Sequence, residues 1–223
     1  MSKLVFWLDI DNTLLDNDYA KDDLDRHLQV ELGQDLTQRF WDLYEEVRKE
    51  KDIVDIPLAL QRLRERTPLA EMDEQTYQHI HSLFDNYPFY DALYPNVIET
   101  LQHLNTQGTT VIVSDGDLYF QAEKIFSSGL ADLVQGRVLL YAHKQQHLEE
   151  TMQRYPGDHY IMIDDKPEIL LDSKRLLDGK ITTVFVRQGK YAAQVPEDFQ
   201  PDIAVDHIGD LCLYEALQFL PRS

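Results

Sequence analysis

Two aspartates one residue apart, Asp9 and Asp11, follow directly on the apolar run Leu4-Val5-Phe6-Trp7-Leu8, and the chain continues with Asn12-Thr13. A short run this rich in β-branched and aromatic residues predicts a buried central strand with the acids at its carboxyl end, where open α/β sheets bind ligands. Side chains two residues apart on an extended chain project the same way, so the two carboxylates are expected to converge. Like charges brought together repel, and a cation relieves the repulsion.

Three later strand-like runs also end in polar residues. Thr109-Thr110-Val111-Ile112-Val113 ends in Ser114, Val138-Leu139-Leu140-Tyr141 leads through Ala142-His143 to Lys144, and His159-Tyr160-Ile161-Met162-Ile163 runs into Asp164-Asp165. Singly, each has an ordinary structural explanation. Asp9 could be a turn or cap residue, Ser114 a turn hydroxyl ahead of Asp115-Gly116-Asp117, and Lys144 a solvated surface lysine. Asp164 and Asp165 could cap the helix suggested by Lys166-Pro167-Glu168-Ile169, although capping and metal binding are compatible at adjacent acids.

Together and in this order, the four sites carry more. The Asp-x-Asp-x-Thr spacing after a strand resembles the nucleophile motif of the haloacid dehalogenase-like (HAD) hydrolase superfamily. Ser114, Lys144 and Asp164-Asp165 resemble that family's second, third and fourth motifs. The resemblance implies that Asp9 is a nucleophile forming an aspartyl-phosphate and that Asp11 protonates the leaving oxygen and then accepts a proton from water. For that, Asp11 must hold a proton more readily than Asp9. Lys144 is implied to bridge Asp9 and the phosphate, and Ser114, Asp115 and the backbone amides near Gly116 to bind phosphate oxygens. Magnesium (Mg2+) is the implied cofactor, held by the Asp9 side chain, the Asp11 carbonyl, Asp165 directly, and Asp164 directly or through water. An all-oxygen set suits magnesium, and the thiolate and imidazole clusters that favour zinc are missing. His143 has no second histidine at ligand spacing and reads as loop structure. Two departures stand out. Acids at 115 and 117 replace the neutral residue common after motif II and are expected to point outward, and Gln145 stands where the family commonly has Pro.

The elements that must position these residues follow from periodicity. Residues 19–86 change to helical spacing: Leu24, Leu28 and Leu32; Phe40, Leu43, Tyr44 and Val47; Ile56, Leu60 and Leu63; Tyr77, Ile80 and Phe84. Four amphipathic helices are indicated, separated near Gly33, Asp52–Asp55 and Pro68. From Pro88 helix and strand alternate, with helices over 97–104 and 118–128 and further strands at 181–186 and 201–205. Alternation of this kind predicts a three-layer, Rossmann-like α/β core with a mainly parallel sheet. The core takes residues 1–18 and 87–223, and the inserted helical block occupies the place of the family's C1 cap, a lid over the site.

Composition narrows the partners. A net charge of −19 opposes binding to nucleic acid polymers or anionic membranes, so a small phosphorylated metabolite whose charge is met locally is the expected ligand. No apolar stretch is long enough to span a bilayer, and the one cysteine, Cys212, excludes an intrachain disulfide, so a cytoplasmic location is expected. The expected activity is hydrolysis of a small soluble phosphomonoester. Asp-Ile-Asp-Asn-Thr is similar to the wording in pyrimidine nucleotidases of the superfamily, so a nucleotide is one candidate. A phosphomutase would use the same carboxylates, and a non-catalytic phosphometabolite-binding protein could keep the fold. A dehalogenase fits less well, since those relatives lack a carboxylate at the position of Asp11 and use no metal. The helical block is expected to supply specificity, and in its Arg48-Lys49-Glu50-Lys51-Asp52 segment two readings stand: Arg48 or Lys51 reaches a polar leaving group, or these cations at a helix end complement its dipole and stay solvated, the commoner case.

Overall fold

The structure is a computed structural model and describes residues 2–116, 118–196 and 199–221. Asp117, expected to point outward, lies outside the described residues.

Six strands form one parallel sheet: β1 (Leu4–Leu8), β2 (Gly108–Asp115), β3 (Val138–Tyr141), β4 (His159–Asp164), β5 (Ile181–Val186) and β6 (Ile203–Val205), in the order β3-β2-β1-β4-β5-β6. All five residues of β1 are buried, because helices cover both faces of the sheet. Their alternation sorts them: Leu4, Phe6 and Leu8 enter one apolar core, whereas Val5 and Trp7 enter the other with Val111, Val113, Tyr160 and Met162. Burying side chains of this size contributes roughly 1.5–3 kcal/mol each. β6 is shorter than the expected 201–205, starting two residues after Pro201, which has no N–H to give a ladder.

Between β1 and β2 lie α1 (Asn17–Lys51), α2 (Ile56–Arg66) and α3 (Glu74–Asp85). α1 is interrupted at Gly33, whose φ of 75° and ψ of 170° are not helical, so the segment contains the two helices expected on either side of that residue. Aspartates start these helices: Asp16 accepts from the Tyr19 amide, Asp55 from that of Leu58 and Asp73 from that of Thr76, at 2.8, 2.9 and 2.8 Å. Arg62 and Arg66 of α2 hold Glu46 of α1, both at 2.8 Å or less. The remaining helices, α4 (Val97–Gln107), α5 (Leu118–Ser127), α6 (Leu130–Leu133), α7 (Leu148–Arg154) and α8 (Pro167–Leu176), alternate with the later strands.

The chain leaves the core and returns to it along paired backbone. The Asp16 amide donates to the Ala92 carbonyl at 2.8 Å and the Tyr94 amide to the Leu14 carbonyl at 3.0 Å.

At the start of β2 the backbones approach closely: a Cβ on Gly108 would lie 2.5 Å from the carbonyl oxygen of Leu4, its register partner in β1. Gly108→Ala is therefore expected to lower stability by about 1–3 kcal/mol through overpacking. Urea denaturation checks this, and an unchanged midpoint would show that the two strands can separate without cost.

Candidate active site

Four strand ends meet at one residue. Lys144 follows β3 in a short 3-10 turn and is fully buried. Its Nζ lies 2.5 Å from Asp9 Oδ1, just past β1, and 2.6 Å from Asp164 Oδ2, the last residue of β4. Its backbone amide donates to Asp115 Oδ1 at the end of β2, at 2.5 Å. Asp115 thus points inward, contrary to expectation, because the turn amide of Lys144 needs an acceptor there. Burial counts against an ammonium, but the charges of Asp164 and Asp9 override it and raise the Lys144 pKa above its ordinary value.

Asp9, Asp164 and Asp165 form a cluster whose potential ligand atoms all lie within 4.8 Å of one another, and all three are buried. Lys144 covers Asp9 Oδ1, whereas Asp9 Oδ2 and both oxygens of Asp165 are buried without a hydrogen-bond partner. Unpaired buried carboxylate oxygens are costly, and an all-oxygen cluster of this kind fits a hard cation. The same crowding shifts the acids: burial raises the Asp9 carboxyl, and burial with the charges of Asp164 and Asp9 pushes Asp165 up to about 9.

Asp11 stands apart from this cluster. Its Oδ1 accepts from Lys124 Nζ at 2.7 Å and its Oδ2 from Gln121 Nε2 at 3.0 Å. Burial acts to raise the Asp11 carboxyl, but the charge and hydrogen bond of Lys124, aided by Lys166 and Gln121, hold it below the ordinary value. The expected order of proton affinities is thus reversed without a cation: Asp9 holds its proton more readily than Asp11. The cause is local, since Asp11 has a lysine to itself while Asp9 shares one with Asp164.

Ser114 is buried at the end of β2, with Gln121 Nε2 at 3.5 Å from its Oγ. The Gly116 amide donates to the Tyr141 carbonyl at 3.0 Å, so this N–H, expected to face phosphate, is already committed. His143 does more than shape its loop, pairing with Asp52 from the end of α1 at 3.2 Å. Lys124, Gln121, Asn17 and Lys166 were missed by motif spacing. A signal existed for the first two: they lie on the same stripe of α5 as Phe120 and Ile125, and polar residues on a buried stripe need partners.

The site opens into a cleft of 430 Å³ between the core and α1–α3, reached by Asp11, Asp115 and Lys166 on one side and Lys21, Trp41, Tyr44 and Arg48 on the other. Of the two cations expected to face the leaving group, Arg48 lines this cleft, whereas Lys51 is drawn to Asp55 at 2.5 Å. Among the described residues no helix is long and apolar enough to cross a membrane.

The sequence matches the haloacid dehalogenase-like hydrolase family over residues 4–170. The chain belongs to that family. It is 41% identical to a HAD-like hydrolase from Burkholderia xenovorans LB400, covering 99% of this chain and 100% of the other with a TM-score of 0.86. The fold extends to an L-2-haloacid dehalogenase from Xanthobacter autotrophicus with chloropropionic acid covalently bound (17% identity, 96% and 98% coverage, TM-score 0.60). It extends also to a HAD hydrolase from Bacillus subtilis bound to magnesium (15% identity, 95% and 97% coverage, TM-score 0.61). A search of curated proteins finds no match.

The raised acids of this HAD site make stability depend on pH. A folded carboxyl with a raised pKa keeps a proton that the unfolded chain has released, so stability falls as pH rises towards the folded pKa. Between about pH 7 and about pH 8.5, above the ordinary histidine range, the metal-free protein is expected to lose up to about 1.4 kcal/mol per pH unit for the site proton. Asp165→Asn should flatten this dependence. Thermal unfolding of chelator-treated protein checks both, and the same slope in the variant would assign the proton elsewhere.

Proposed function

We propose that this HAD hydrolase is a magnesium-dependent phosphatase of small phosphomonoesters, with residues 19–86 as a cap over the cleft. The observation that carries the reading is the buried Asp9, Asp164 and Asp165 cluster, whose oxygens exceed what Lys144 can satisfy. The Asp9, Asp164 and Asp165 carboxylates would hold a magnesium ion, which when bound supplies positive charge beside the phosphoryl group.

A phosphomonoester resists attack because its own oxygens are negative, so positioned charge carries much of the catalysis. An Asp9 oxygen attacks phosphorus, forming the aspartyl-phosphate as the bond to the leaving oxygen breaks. Lys144 keeps its ammonium against Asp9 throughout and offsets charge on the phosphoryl oxygens. The negative charge of the entering phosphoryl group opposes Lys124 and lets Asp11 carry the proton that it gives to the leaving oxygen, and Lys124 then favours the ionised carboxylate that takes a proton from water in the second step. Ser114 hydrogen-bonds a phosphoryl oxygen. The carboxyl of Asp11 also favours this chemistry over halide displacement, in which no leaving group needs a proton.

Release of phosphate from 4-nitrophenyl phosphate should require added magnesium. Asp9→Asn should abolish both turnover and covalent labelling from radioactive phosphate ester, and Asp11→Asn should lower turnover roughly 10²–10⁴-fold while leaving the label trappable on Asp9. Phosphate release that survives exhaustive chelation, or a label on another residue, would overturn the mechanism. Chloride release from a 2-chloroacid without any phosphatase activity would replace it with dehalogenation.

A further inference from the structure

The cations around the cleft are not equally engaged. Lys144 faces Asp9 and Asp164, Lys124 faces Asp11 at 2.7 Å, and Arg48 faces Glu45 at 3.4 Å. Of the two, Lys166 and Lys21, that among the described residues have no carboxylate within the 4.0 Å of an ion pair, Lys166 has the charges of Asp9, Asp164 and Asp165 beside it, whereas Lys21 has none of these. Its ammonium sits instead over two rings of the second half of α1, 4.6 Å from the centroid of Tyr44 and 5.3 Å from that of Trp41. Both rings are held: Trp41 Nε1 donates to Asp25 at 2.7 Å, and Tyr44 is buried, its phenol pushed by that burial up to about 12 and therefore neutral.

Lys21 also faces the right way. With Asn17, Ala20 and Leu24 it makes the face of α1 that lines the cleft. Asn17 accepts from Lys124 at 2.8 Å, and Lys124 holds Asp11, so the first residue of α1 stands beside the proposed proton carrier. Lys21 lies four residues and so about 6 Å further along the helix axis. The charges that reach its ammonium come from Lys190, Glu45, Arg48 and Lys124, three cations against one acid. Within a chain of net charge −19 this is a locally positive place, and burial with the neighbouring cations lowers the Lys21 pKa below its ordinary value. A quadrupole is a weaker partner for an ammonium than an anion, and the partner is wanting on the side open to the ligand.

We infer that Lys21, held over Tyr44 and Trp41, is a subsite for a leaving group that itself bears a singly charged oxyanion such as a carboxylate. The inference rests on the phosphatase reading for the word leaving group, but the subsite can be tested by binding alone. One lysine matches one charge.

The test compares 4-carboxyphenyl phosphate with 4-carbamoylphenyl phosphate, equal in size and different in charge. The protein with magnesium should favour the carboxylate ester about tenfold in kcat/KM, chiefly through KM. Lys21→Met, which keeps the unbranched stem, should erase the preference, and Lys21→Arg should restore most of it. Calorimetry with the non-hydrolysable 4-(phosphonomethyl)benzoate and its benzamide should give the same order of affinities and the same dependence on residue 21. Equal affinities in the unmodified protein, or equal losses for both ligands in Lys21→Met, would overturn the subsite even if both esters are hydrolysed. A binding preference that follows residue 21 while neither ester is hydrolysed would uphold the subsite and overturn the phosphatase reading.

Discussion

The ammonium of Lys144 is the interaction on which the rest depends. It is fully buried, and a buried charge that loses its partners costs several kcal/mol. Its partners come from the ends of β1 and β4, while its own amide is pinned to the end of β2. A slip of one residue in any of these strands would turn a partner to the other face of the sheet. The register of the sheet and the electrostatics of the site are thus one requirement. It also explains how three carboxylates can share so small a volume: one ammonium anchors two of them, and the excess negative charge makes the cluster suited to a cation.

The second constraint is the way the helical block is attached. The outgoing and returning strands of backbone near Leu14–Asp16 and Ala92–Tyr94 bond to one another, and Asn12 Oδ1 accepts from the amides of Asn17 and Asp18 at 3.1 and 3.3 Å. The start of α1 is therefore tied to the loop that carries Asp11. Through Lys124 the same helix start reaches the Asp11 carboxylate itself. Any movement of α1 relative to the sheet must act on the group proposed to carry protons.

Much of this was legible in the sequence for physical reasons. A run such as Leu4–Leu8 can only be buried on both faces, which requires a parallel sheet with helices above and below, and the polar residues then fall at the strand ends by default. The helices announced themselves by apolar spacing and by aspartates at their starts. What was not legible depended on direction and partnership. Nothing local tells that Asp115 turns inward to cap the amide of Lys144, or that the Gly116 amide is used by Tyr141. The proton affinities of Asp9 and Asp11 came out reversed because the lysine that decides them, Lys124, arrives from α5, more than a hundred residues away in sequence. Lys21 looked like any other helix lysine, since its rings lie beyond the break at Gly33.

The long insertion between β1 and β2 also bears on how the molecule is made. Among the described residues β1 pairs with β2, which begins at Gly108, and with β4, which begins at His159. At roughly 5–20 residues per second, a ribosome needs on the order of 5–20 s to make the first of these partners after β1 itself. During that interval the most apolar segment of the sheet has no ladder to join, whereas α1, α2 and α3 follow it at once and hold most of their apolar contacts close in sequence. The helical block can therefore form before the strand that precedes Asp9 has a sheet to join.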